Sequence, residues 1–117
     1  MFGLHENNSE VIQNKVIREL KEYFDDKITS GFTVLERTDT PYTMFSLSFI
    51  AYDYFNVTFN YDRGRFGCYT IVGDKKIPLR NSQQWYDKAD MDVFLQELEQ
   101  QIELRIPDKF LEFHGWK

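Results

Sequence analysis

A chain of 117 residues with 42% hydrophobic and 28% charged side chains can build one folded core and not two, so a disordered chain and a second domain are both excluded. Its formal charge of -5 and pI near 5.0 set up a negative field that disfavours a phosphate backbone as a direct ligand and favours basic partners. Cys68 is the single cysteine, which rules out an internal disulfide and a cysteine-rich zinc site and fits a reducing compartment.

Asn7 with Glu10 three residues later resembles a helix start. Ile12, Val16, Leu20 and Phe24 then recur at helical spacing, predicting a helix over about 9–27. Its other face mixes Glu19, Glu22 and Asp25 with Lys15, Arg18 and Lys21, the composition of a solvated surface. After Gly31 the period drops to two: Phe32 and Val34 alternate with Thr33 and Leu35 in a strand that ends near Asp39. Over 43–52, Phe45, Leu47, Phe49 and Ala51 share a face against Ser46 and Ser48. Phe55, Val57, Phe59 and Tyr61 then oppose Asn56, Thr58 and Asn60.

Asp62-Arg63-Gly64-Arg65 has the composition of a hairpin turn, and the chain returns as a strand over 66–72. Gly73-Asp74-Lys75 predicts another turn, and residues 76–79 form a short edge strand in which Pro78 discourages pairing with other chains. Residues 80–89 are polar apart from Trp85 and Tyr86 and are expected to be a loop. Residues 90–106 predict a last helix, with Met91, Phe94, Leu95, Leu98, Ile102 and Ile106 on its apolar side and Asp92, Glu97, Glu99 and Glu103 directed away. The resulting fold is a single α+β domain over 1–117, a two-layer sandwich. A four- or five-stranded antiparallel sheet carries the N- and C-terminal helices on one face.

No apolar run is long enough to cross a bilayer, and the N-terminal residues lack the pattern of an export signal, so a cytoplasmic location is expected. The chemistry-bearing residues are sparse. His5 and His114 are the two histidines, each near an end of the chain, and Cys68 reads as a small buried hydrophobe. No phosphate loop, metal-binding helix or nucleophile elbow is present, so no catalytic residue, metal or cofactor is assigned. Recognition is better supported. The polar sheet face offers Asn56, Thr58 and Asn60, with Tyr52, Tyr54 and Tyr69 as further candidates, and Trp85-Tyr86-Asp87 has the composition of an interface anchor. The simpler alternative for Trp85 is that it folds back over an end of the core.

The segments Asn81-Ser-Gln-Gln-Trp-Tyr-Asp-Lys-Ala-Asp-Met-Asp-Val-Phe-Leu, Glu103-Leu-Arg-Ile-Pro-Asp-Lys-Phe-Leu and His114-Gly-Trp-Lys, with Tyr61-Asp-Arg-Gly as a weaker echo, resemble small bacterial immunity proteins of contact-dependent growth inhibition and related polymorphic toxin systems. The resemblance implies a cytoplasmic inhibitor that binds the C-terminal domain of a delivered toxin, often a nuclease acting on tRNA or DNA. An acidic inhibitor complements a nuclease that holds its substrate with positive charge. The residues expected to contact the toxin are Asp62, Arg63, Trp85, Tyr86, Asp87, Glu97 and Glu99. The alternatives are a single-stranded RNA binder that stacks bases on sheet tyrosines, and a small enzyme of unrecognised type.

Overall fold

The computed structural model describes residues 8–117. His5 and the expected cap Asn7 lie outside the described residues; Asn8 caps the first helix, its side chain accepting from the Val11 amide at 2.9 Å. Helix α1 spans Ser9–Phe24, followed by a 3-10 turn at Asp25–Lys27. Strands β1 (Thr33–Thr38), β2 (Met44–Ala51), β3 (Phe55–Asp62), β4 (Arg65–Val72) and β5 (Lys75–Leu79) follow, then α2 (Met91–Glu103) and α3 (Asp108–Phe113). The strands form one antiparallel sheet in the order β1-β2-β3-β4-β5, a meander in which every connection is local.

Both long helices lie on one face of this sheet, α1 over β1 and β2 and α2 towards β5, in the expected α+β two-layer arrangement. The face is set by the alternation of the central strands. Phe45, Leu47, Phe49, Val57 and Phe59 are all buried, and Phe94 of α2 meets Phe59 edge-on at 6.1 Å between ring centres. Ile12, Val16, Leu20 and Phe24 bury the inner stripe of α1, and Phe94, Leu95, Leu98 and Ile102 that of α2. Asp39 ties the β1–β2 loop to the start of α1 by accepting from both the amide and the hydroxyl of Ser9 at 2.8 Å. The Ser9 amide and then its hydroxyl hold the Asp39 carboxyl below its ordinary range.

Several expectations need correction. The last predicted helix breaks at Leu104, and a separate α3 follows Pro107, whose fixed φ suits a helix start. Leu111 of α3 is buried, and Trp116 beyond it packs edge-on against Tyr52 at 5.3 Å. Tyr52 is not a surface group. It has φ 58°, which breaks the strand alternation and turns the ring into the core, where its hydroxyl donates to Glu103 Oε2 at 2.6 Å. Glu99 and Glu103 likewise are not free surface groups but only partly exposed. They line the flank of α2 that faces α1, with Glu99 accepting from Tyr23 at 2.9 Å and from Lys27 Nζ at 3.0 Å. Two helices side by side on one sheet each have a flank that is neither core nor surface, and these carboxylates occupy it.

Among the described residues, no helix lies on the opposite face of the sheet. Asn56, Asn60 and Ile71 are exposed there, with Asn60 Oδ1 accepting from Ser46 Oγ at 2.8 Å and Asn56 Oδ1 from Ser48 Oγ at 2.6 Å. Among the described residues no helix is long and apolar enough to cross a membrane.

Candidate functional site

The β3–β4 connection is a two-residue loop, Arg63-Gly64, between the paired Asp62 and Arg65. Both loop residues have positive φ, 52° and 94°, the combination that lets a tight hairpin follow the right-handed twist of its strands. Glycine adopts it freely, whereas Arg63 is held there by bonds. The Arg63 amide donates to Thr43 O at 3.0 Å, its Nε donates to Asp62 Oδ1 at 2.7 Å, and its guanidinium lies 4.7 Å from the Tyr42 ring centre.

The loop between β5 and α2 is stitched to this tip through its main chain. The Phe66 amide donates to Gln84 O at 3.1 Å, the Tyr86 amide donates to Gly64 O at 2.9 Å, and Arg65 and Trp85 form an isolated antiparallel bridge. These bonds fix the directions of two neighbouring rings. Tyr86 points inward, edge-on to Tyr61 at 5.8 Å and to Phe66 at 5.6 Å. Burial first, and the Glu19 carboxylate next, push its phenol up to about 12. Trp85 points outward and is 48% exposed, resting on Gly64 with the Arg65 guanidinium 5.3 Å from its ring centre. Tyr86, not Trp85, therefore covers this end of the core. Asp87 is exposed beside them, where its charge adds to burial in raising the Tyr61 phenol.

Of the residues expected to contact a partner, Asp62, Arg63, Trp85, Tyr86 and Asp87 thus converge on one end of the sheet; Arg63, Trp85, Tyr86 and Asp87 line a shallow cavity of about 550 Å³ between the hairpin and Tyr42, and Asp62 lines the neighbouring hollow on the open face. Glu97 and Glu99 lie elsewhere and are engaged within the chain. Glu97 Oε1 accepts from both the amide and the hydroxyl of Ser82 at 2.9 Å, which fastens the loop to α2. Glu99 holds the two helices together as described above.

Sequence reading missed the hollow on the open face of the sheet next to this tip. Gly67 on β4 lies opposite Asn60, and a Cβ built there would meet nothing within 4 Å. Around the gap stand Tyr69, Lys76, Arg65 and Trp85, enclosing about 680 Å³. The signal was present in the alternation, since Asn60, Gly67, Tyr69 and Lys76 all occupy outward positions, but a missing side chain has no periodicity of its own.

The groups with catalytic potential are dispersed. Cys68 is buried on the inner face of β4, and burial pushes its thiol well above the ordinary range. His114 stacks on Trp116 with ring centres 4.9 Å apart, near the C-terminal end of the chain. Among the described residues no group of His, Cys, Asp or Glu is placed to hold a metal ion. Comparison with protein-family models, with curated proteins and with solved structures finds no match to this chain.

Proposed function

We propose that this chain is an immunity protein that binds a cognate toxin domain in the cytoplasm, a nuclease acting on tRNA or DNA, and blocks it by covering its active or substrate-binding surface. The observation that carries this reading is Trp85, a large aromatic held 48% exposed by a main-chain bridge to a hairpin tip. An aromatic whose direction is already fixed loses little conformational freedom on docking, the property of an interface anchor. Arg63 and Asp87 beside it supply charges of both signs for register, while the net charge of -5 speeds encounter with a basic domain. The resemblance of the 81–95 segment to immunity proteins points the same way.

On this reading the gene immediately upstream encodes a large secreted protein with a toxic C-terminal domain, and the test is co-expression of the chain with that domain. The chain should restore growth to cells that make that domain. Trp85→Ala should weaken the purified complex by about 2 kcal/mol or more while leaving the fold intact. Cells that are arrested equally with and without the chain would refute the reading.

A further inference from the structure

We propose that the hollow over Gly67 on the open sheet face takes an acidic segment of the protein partner, whose Asp or Glu carboxylates meet Arg65 at one end and Lys76 at the other. This deepens the toxin-binding reading and rests on it, because it names what the inhibitor grips.

The lining is chemically one-sided. Asp62 is its carboxylate, and that group is already paired with Arg63 at 2.7 Å. Among the described residues, Arg65 and Lys76 enter no ion pair. Asn60 has its Oδ1 occupied by Ser46, so its amide nitrogen is the group left to donate, and Trp85 Nε1 is a donor by nature. A site whose unused polar groups are donors, two of them cationic, matches an acceptor-rich anion. A hollow of about 680 Å³ has room for one or two side chains and their backbone.

The aromatic rings do not form a platform for bases. The Lys76 ammonium lies 4.8 Å from the Tyr69 ring centre, and the Arg65 guanidinium 5.3 Å from that of Trp85. A nucleobase would have to displace these cations to stack, whereas a carboxylate meets them where they stand. Cations steadied on rings also lose less side-chain freedom on binding than free ones.

Fluorescence anisotropy with a labelled decapeptide rich in Glu and Asp tests this, alongside a lysine-rich decapeptide and a mixed-sequence single-stranded RNA. The parent chain should bind the acidic peptide, and Lys76→Glu should weaken it at least about tenfold. Gly67→Leu, which fills the hollow without changing charge, should abolish binding while the melting temperature is kept, and Lys109→Glu on α3 should bind like the parent. Preference for RNA lost in the same variants, binding of both peptides alike, or binding unaffected by Gly67→Leu would each overturn the proposal. So would full neutralisation of the toxin domain by Lys76→Glu and Gly67→Leu, which leaves toxin binding standing on another surface. Capture of the acidic peptide through Lys76 and Gly67 by a parent chain that does not bind the toxin domain would instead overturn the neutralisation reading alone.

Discussion

Tyr52→Phe isolates one hydroxyl at the junction of the β2–β3 loop with the helices. Tyr52 is fully buried, and its ring packs edge-on to Phe24 at 6.5 Å and to Trp116 at 5.3 Å, contacts that phenylalanine keeps. What is lost is the 2.6 Å donation to Glu103 Oε2. A hydrogen bond to a charged group contributes about 1.5–3 kcal/mol. The Glu103 side chain is 32% exposed and regains water, so the loss should fall near the lower end of that range, about 1.5 kcal/mol. The difference should also depend on pH. Burial first, and the Glu103 bond next, raise the Tyr52 phenol far above its ordinary 10.0. A group whose folded pKa is raised gives its full stabilisation below the unfolded value and loses it above. Beyond about pH 10 the unfolded chain releases this proton and the folded chain keeps it, so stability falls by about 1.4 kcal/mol per pH unit. Phenylalanine carries no such slope. Urea denaturation followed by circular dichroism should therefore show the parent more stable by about 1.5 kcal/mol at about pH 8, with the gap nearly closed at about pH 11. Parallel pH curves for the two proteins would refute the argument.

Glu99→Lys, harmless if that residue faced solvent, should instead lower the melting temperature by about 10 °C, since it removes the acceptor for Tyr23 and sets two ammonium groups together at Lys27. A melting temperature equal to the parent's would show that this flank carries no weight. Leu98 is fully buried in the hydrophobic core, so Leu98→Asp should destabilise by about 4 kcal/mol or more and abolish a cooperative thermal transition by circular dichroism. In a Trp116→Phe background, Trp85 should emit at long wavelength and be quenched readily by acrylamide, because about half its surface meets solvent. Blue-shifted emission resistant to quenching would place the ring inside.

The parts of the fold legible in the sequence are those in which a period repeats. Phe45, Leu47, Phe49 and Ala51, then Phe55, Val57, Phe59 and Tyr61, alternate over whole strands, so the buried face follows without reference to anything distant. Where the repeat ends, the reading ends too. Residues in β1 shift register between Val34 and Glu36, so the alternation begun at Phe32 does not carry through to Arg37, which lies opposite Phe45. The six residues of α3 are too few for helical spacing to declare itself, and the reversal of Tyr52 depends on a local positive φ. A helical wheel places Glu99 in solvent because it separates core from surface and carries no information on a neighbouring helix.

The site divides along the same physical line. Composition and the exposure inferred from pattern mark Trp85, Tyr86 and Arg63 as interface residues, but their meeting depends on main-chain bonds between the hairpin and a loop some twenty residues on, which side-chain pattern does not encode. On the proposed reading, the sign of the charge also differs with distance. A partner approaching within the screening length of about 8 Å but not yet in contact senses the net charge of -5, whereas one in contact meets Arg65 and Lys76. Attraction to a basic domain and recognition of an acidic segment on it are therefore compatible, the first acting on encounter and the second on orientation. The two should separate kinetically: added salt slows association, while Lys76→Glu chiefly hastens dissociation. If Lys76→Glu instead sped association and left dissociation unchanged, the groove would contribute only to the general field and not to the seat.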